Sequence, residues 1–260
     1  MTSEFWTHYN PVRVIFKPGV LARIADHLEP SRVALVTTPG FRRRGQVDVI
    51  ERALASSLVD VIDDVKPNPD VEDVQAQSVR LRKSQPDTLI ALGGGSTIDT
   101  AKSLARLLTQ KEGTSLGMLL KGAVGDFSAA ALPIVAIPTT AGTGAEVTPF
   151  GTIWDHAEAM KYSLIGEDLY PRLAVLDPEL TLGLPPHVTA STGLDALIHA
   201  IESYTGCQST FITEPLAMEA IRLIAKHLRA AYACGSNLEA RSGMLKASLL
   251  AGMAFANTQT

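Results

Sequence analysis

The sequence predicts an α/β fold: a mostly parallel sheet in the N-terminal part, then an all-helical C-terminal part. Three observations predict it. Up to about residue 178, short β-branched apolar runs alternate with helical patterns, the mark of strand–helix–strand units. The adjacent prolines Pro185-Pro186 then interrupt the chain. Beyond them every apolar pattern is helical and no strand pattern recurs.

In chain order, strands are expected at residues 12–16, 32–37, 58–65, 87–92 and 133–137, each short and bounded by Pro, Gly, Asp or Thr. Helical patterns fall at 19–28, 46–57, 71–83 and 97–108. In 71–83 the residues Val71, Val74, Val79 and Leu81 follow the helical stripe only loosely. Residues 147–155 and 161–165 read as a hairpin turning near 156–159, and 173–177 is a further short apolar run. The helical part comprises 188–204, 214–232 and 237–256. This places one domain at 1–180 and the start of a second at 181–260. The last helix carries Met244, Leu245, Leu249, Leu250, Met253 and Phe255 among alanines, so it is apolar on nearly all faces. Such a helix belongs inside a bundle. With the sequence stopping at Thr260, its cover is expected from another subunit or from a longer polypeptide, so the helical domain looks truncated.

The chain has 260 residues, 46% hydrophobic and 19% charged, a globular composition that excludes a disordered or coiled-coil polypeptide. Its 23 basic and 27 acidic residues leave a net charge of −4. A nucleic-acid partner calls for a basic excess, and the one basic cluster is Arg42-Arg43-Arg44. Cys207 and Cys234 make no disulfide framework, so a cytoplasmic setting is expected. The first residues lack a charged and then apolar leader pattern. Residues 127–145 are uncharged, but Pro133 and Pro138 interrupt them, so no membrane span is expected.

Two loops carry chemistry. Leu89-Ile90-Ala91-Leu92 runs into Gly93-Gly94-Gly95-Ser96 and then into a helix with Asp99 and Lys102. Glycine lets backbone approach an anion, and a helix N-terminus offers free amides and a positive dipole end. The GxGxxG fingerprint fails at Ile98 and the Walker A pattern fails at Ala101. A ligand-free tight turn would use the same glycines. The second loop, Pro138-Thr139-Thr140-Ala141-Gly142-Thr143-Gly144, follows another strand. Ligands of open α/β sheets sit at the carboxyl ends of strands, and hydroxyls with glycines suit a nucleotide there. Two solvated loops are the alternative.

A third constellation lies on the first C-terminal helix. Asp195 and His199 are four residues apart, so they share a face, with Glu202 close to it. Their neighbours are Leu, Ile and Ala, and a buried carboxylate needs a partner or a metal. Asp and His on one face supply two metal ligands or a plain Asp–His hydrogen bond.

Together these motifs resemble the iron-containing (group III) alcohol dehydrogenase family. The resemblance rests on Gly93 through Lys102, on Pro138 through Thr148, and on Leu176-Asp177-Pro178 through Pro185-Pro186 to residues 192–204. It implies a Rossmann-like dinucleotide-binding domain and an all-helical metal and substrate domain. It implies hydride transfer between NAD(P) and an alcohol/aldehyde pair, with Fe²⁺, or Zn²⁺ in its place, as Lewis acid. By the same resemblance Gly94, Gly95, Ser96 and Asp99 contact the cofactor, Thr139, Thr140 and Thr143 line the cleft, and Lys161 touches the cofactor. Asp195 and His199 become two of four metal ligands and the catalytic centre. The other two are histidines beyond a segment like Gly252–Asn257, and this sequence stops at Thr260 before them. The 260-residue form is therefore expected to hold metal poorly and to be inactive.

Where NAD-preferring members carry an acid at the end of the second strand, this chain has Thr37-Thr38 with three arginines following. An NADP(H) preference is expected, with Thr38 at the ribose and an arginine paired to the 2′-phosphate. Residues 10–16 faintly resemble phosphonoacetaldehyde-reducing members. The family resemblance also implies a homo-oligomer. A glycerol-dehydrogenase-like or dehydroquinate-synthase-like relative, or a nucleotide-binding fragment without its reaction centre, are the competing readings.

Overall fold

A computed structural model describes residues 6–29, 31–122 and 129–258. In chain order the strands are β1 (Arg13–Phe16), β2 (Val33–Thr37), β3 (Leu58–Ile62), β4 (Thr88–Gly93), β5 (Ile134–Pro138), β6 (Phe150–Asp155), β7 (Met160–Ile165) and β8 (Leu173–Leu176). The helices are α1 (Pro39–Arg43), α2 (Gln46–Leu54), α3 (Val71–Ser84), α4 (Gly95–Leu108), α5 (Leu116–Leu120), α6 (Pro186–Thr205), α7 (Thr213–Ala233) and α8 (Leu238–Thr258). Six strands form one sheet in the order β1-β8-β5-β4-β2-β3, and every pairing is parallel. β6 and β7 form a separate antiparallel hairpin.

The central strands read as unbroken apolar runs because they are buried on both faces. Every residue of β2, β5 and β8 is buried, as parallel sheets require. Since all six run the same way, their carboxyl ends share one edge. The register sets Thr37 beside Leu92 and Gly93 beside Pro138 on it.

Several expectations need correction. Residues 19–28 form a 3₁₀ helix, Val20–His27, with Arg23 off helical geometry at φ −117° and ψ 23°. The Asp177 carboxylate accepts from the Gly19 and Leu21 amides at 2.9 and 3.1 Å, so a distant residue sets the start of this turn. β3 stops at Ile62 rather than continuing to Val65. α2 stops at Leu54, after which Ala55 takes φ 47°. α1 and α5 span five residues each, too short for periodicity to reveal them.

The chain divides into two compact units. The sheet unit comprises Arg13–Thr139 and Pro149–Asp177, and the helical unit comprises Met1–Val12, Thr140–Thr148 and Pro178–Thr260. A break near residue 178 is thus present, but the helical unit also takes two segments from earlier in the chain.

Within the helical unit, α6, α7 and α8 pack on one another through Ala200, Ala217, Ala220, Ala251 and Ala254. Small side chains let the helix backbones come close. Arg241 on α8 is buried and donates to Thr189 Oγ1 at 2.7 Å, to Gly235 O at 2.9 Å and to Leu184 O at 3.2 Å. Its burial pulls the guanidinium pKa down. The expectation that α8 lacks a cover within this chain holds only in part: α6, α7 and the segments Ala145–Val147 and Pro178–Thr181 bury Met244 and Leu245, while Leu249, Leu250, Met253 and Phe255 stay half-buried. The exposed apolar stripe instead lies on α6, where Leu194, Ile198, Ile201 and Tyr204 follow helical spacing along one face. Among the described residues no helix is long and apolar enough to cross a membrane.

Candidate active site

In the sheet unit, β4 ends at Gly93 and α4 begins at Gly95, with Gly94 at its N-cap. Gly94 has no side-chain oxygen to cap the helix, which leaves the first turn to an outside acceptor. Ser96 Oγ accepts from the Asn68 amide at 3.2 Å. Thr139 follows β5 and donates its amide to the Gly93 carbonyl at 3.0 Å, so the two loops are tied where they leave the sheet. Thr37 Oγ1 donates to Leu92 O at 2.8 Å and fixes the end of β2 beside the same turn. Thr38 then caps α1 in extended conformation. The structure thereby gathers Thr38, Gly94, Gly95, Ser96 and Thr139 along one sheet edge.

Asp99 lies one turn further along α4. Burial pushes its carboxyl up to about 6 against three opposing influences: the Lys102 charge, a hydrogen bond from the Thr152 amide, and the Lys161 charge. Thr152 is on β6 and Lys161 on β7, so the hairpin brings both to Asp99. The Lys161 ammonium also lies 5.8 Å from the centre of the Trp154 ring. The backbone donor Thr152 and the role of Lys102 toward Asp99 are absent from the sequence reading. Only the spacing of Asp99 and Lys102, three residues apart on one helix, signals the latter.

The arginine cluster is largely committed to the protein itself. Arg42 pairs with Asp63 and lies 3.4 Å from Glu51. The Arg44 guanidinium stacks over the Phe41 ring at 4.4 Å. Arg43 is exposed and forms no ion pair among the described residues.

The helical unit holds the other candidates. Asp195 Oδ1 and His199 Nε2 are 3.8 Å apart, too far for a hydrogen bond. The Asp195 side chain is 43% exposed, which corrects the expectation of a carboxylate buried in an apolar helix. His199 is more enclosed. Its ring stacks on Phe255 with centroids 4.5 Å apart, and its buried Nδ1 has no hydrogen-bond partner. Glu202 is exposed. Thr140 and Thr143 belong to this unit rather than to that of Thr139. Thr143 Oγ1 accepts from the Ala145 amide at 3.3 Å. A Cβ on Gly142 would lie 2.8 Å from Thr192 Cβ of α6, so this loop rests directly on the Asp195 helix.

The pair of His199 Nε2 and Asp195 Oδ1, 3.8 Å apart, fits a divalent metal in donor chemistry, whereas the unpartnered Nδ1 is the enclosed nitrogen of the ring. The pair supplies two donors, and a protein-closed centre uses three or four. Among the described residues no cluster of three or more His, Cys, Asp and Glu side chains is placed to hold an ion.

A parallel α/β sheet unit with a glycine turn at its carboxyl edge, and a helical unit carrying Asp195 and His199 on one helix face, define the class of protein. Residues 11–178 match the iron-containing alcohol dehydrogenase family, and residues 189–260 match its C-terminal region. The chain belongs to the iron-containing alcohol dehydrogenase family. It is 36% identical over 259 residues to a sulfoacetaldehyde reductase of Bilophila wadsworthia, covering 98% of this chain and 66% of that protein. It is 39% identical over 227 residues to a choline dehydrogenase of Bacillus subtilis, covering 86% of this chain and 56% of that one. A crystal structure of sulfoacetaldehyde reductase from Bifidobacterium kashiwanohense in complex with NAD⁺ superposes with a TM-score of 0.93 at 33% identity, over 98% of this chain and 68% of that one. The chain thus spans under two thirds of the length of these two curated relatives.

Proposed function

We propose that the whole protein transfers hydride between NAD(P) and an alcohol/aldehyde pair, using residues 1–180 for the dinucleotide and the helical region for metal and substrate. The observation that carries the reading is the turn Gly93–Gly95 at the carboxyl edge of the sheet, with Asp99 and Lys161 beside it. Gly94, Gly95 and Ser96 present α4's uncapped first turn to the phosphates. Thr38 stands at the adenosine ribose. Asp99 and Lys161 serve the nicotinamide side, with Thr139, Thr140 and Thr143 as further cofactor contacts. Asp195 and His199 contribute two ligands to Fe²⁺, or to Zn²⁺ in its place. When bound, the metal polarises the substrate oxygen and the cofactor supplies the hydride. The sulfoacetaldehyde reductases among its relatives, with the character of residues 10–16, favour a short aldehyde bearing a sulfonate or phosphonate. A cytoplasmic homo-oligomer is part of the same reading.

NADP(H) preference is retained because Thr38 puts no carboxylate beside a 2′-phosphate and Arg43 is uncommitted. NADPH is expected to bind the chain about tenfold tighter than NADH, equivalent to about 1.4 kcal/mol. Titration by cofactor fluorescence checks this, and a clear NADH preference would sink it.

A second reading is favoured by the two-donor metal set: the 260-residue chain binds nucleotide but does not close a metal centre. After desalting in the presence of Fe²⁺ or Zn²⁺, far less than one equivalent should remain per chain, with His199→Ala removing even that. Stoichiometric metal with dehydrogenase turnover would rule this second reading out.

A further inference from the structure

Lys102 is among the largest side chains in the molecule with no solvent exposure at all. A buried ammonium is costly unless charge and hydrogen bonds compensate it. Its Nζ donates to the Phe150 carbonyl at 2.8 Å and lies 5.9 Å from the Phe150 ring centre. The strand that provides this carbonyl is pressed directly onto α4. A Cβ on Gly151 would lie 3.2 Å from Asp99 O and 3.3 Å from Lys102 Cβ. The next residue, Thr152, gives its amide to the Asp99 carboxylate. Lys102 and Asp99 therefore meet β6 on either side of Gly151, one through the Phe150 carbonyl and the other through the Thr152 amide.

We propose that Lys102 is a positioning residue that docks β6 on α4 through the Phe150 carbonyl and supplies the countercharge that holds the Asp99 carboxylate in place beside the glycine turn. A methionine or leucine would fill the same space without the cost of a buried charge, so packing alone does not call for a lysine. Three influences oppose burial at Asp99: Lys102 from its own helix first, then the Thr152 amide from β6, then Lys161 from β7. Lys161 is exposed and so more screened by solvent, which leaves Lys102 as the dominant charge. The sign follows directly. A carboxyl titrating near 6 is ionised above that pH and protonated below it. Binding that uses the carboxylate is lost as pH falls through that value. Without Lys102, burial prevails and the loss moves to higher pH.

The consequence for cofactor binding rests on the reading of Asp99 above, whereas the consequence for its titration does not. The test is a carboxyl ¹³C NMR titration of Asp99 in the 260-residue chain, beside NADH and NADPH binding measured across the same pH range. Lys102→Met removes charge and hydrogen bond. Lys102→Gln removes the charge but can still donate to the Phe150 carbonyl. Both should raise the Asp99 midpoint by about one pH unit or more, while Lys102→Arg stays close to the parent. Dinucleotide affinity should fall with acid at the same displaced midpoint, and Asp99→Asn should flatten that dependence. A folded Lys102→Gln protein with an unmoved Asp99 midpoint overturns the proposal. Failure of both neutral variants to fold also overturns it, by assigning Lys102 to folding. Absence of dinucleotide binding by the parent chain would instead remove the cofactor reading and leave the titration result standing.

Discussion

Gly252→Ala is expected to destabilise the helical unit by about 2–3 kcal/mol, the upper range for overpacking a core. With a urea m-value of about 1–3 kcal/mol/M, the unfolding midpoint should fall by about 1 M. The reason is contact between two backbones. A Cβ on Gly252 would lie 2.8 Å from Gly144 Cα and 3.1 Å from Gly144 O, with Val147 Cγ2 at 2.9 Å. In the other direction, a Cβ on Gly144 would lie 2.5 Å from Gly252 Cα. No flexible side-chain end is available to yield, so α8 must move off the Ala145–Val147 turn. Gly144 also has φ 61°, a conformation that side chains oppose, so Gly144→Ala should cost at least as much. Gly117→Ala is the control, because nothing lies within 4 Å of its Cβ position. Equal midpoints for Gly252→Ala and Gly117→Ala would show that α8 is not held against this turn.

Gly93→Ala is expected to weaken dinucleotide binding by about tenfold or more, beside a stability loss at least as large as that of Gly252→Ala. Its Cβ would lie 2.2 Å from Thr97 Oγ1 and 2.5 Å from Thr97 Cβ. Thr97 is 1% exposed, so the threonine has no open space to turn into. The first turn of α4 must shift, and with it the amides assigned to phosphate. The Gly93 carbonyl also anchors the Thr139 amide, so the threonine loop is disturbed at its start. Parallel dinucleotide and urea titrations separate the two effects. Unchanged NADPH and NADH affinity in a folded Gly93→Ala protein would mean that this turn does not hold the cofactor.

Most of the sheet was legible because its signal is local. A buried parallel strand needs several consecutive apolar residues, and Val33–Thr37, Ile134–Pro138 and Leu173–Leu176 each carry that run within their own sequence. Long helices were legible for the same reason. The 3₁₀ turn at Val20–His27 was not, because its amides are captured by Asp177, more than a hundred and fifty residues away. The candidate site divides along the same line. The glycine turn and the Asp195–His199 spacing are local patterns. The influences on Asp99 from β6 and β7, the loss of Arg42 to Asp63, and the unpartnered Nδ1 of His199 all depend on residues distant in the chain.

The amino-acid sequence by itself determined the α/β-then-helical order, the two hydroxyl- and glycine-rich loops, and the family. Each of these is written in neighbouring residues through periodicity, backbone freedom and motif. Tertiary structure alone decided where the threonine loop divides, with Thr139 in the sheet unit and Thr140 in the helical unit. It also decided that α8 is largely covered within its own chain while α6 carries the exposed apolar stripe, and that the half-buried Asp99 carboxyl is desolvated under the charge of two lysines. Burial and charge proximity are sums over groups far apart in sequence, so they exist only once the chain has folded.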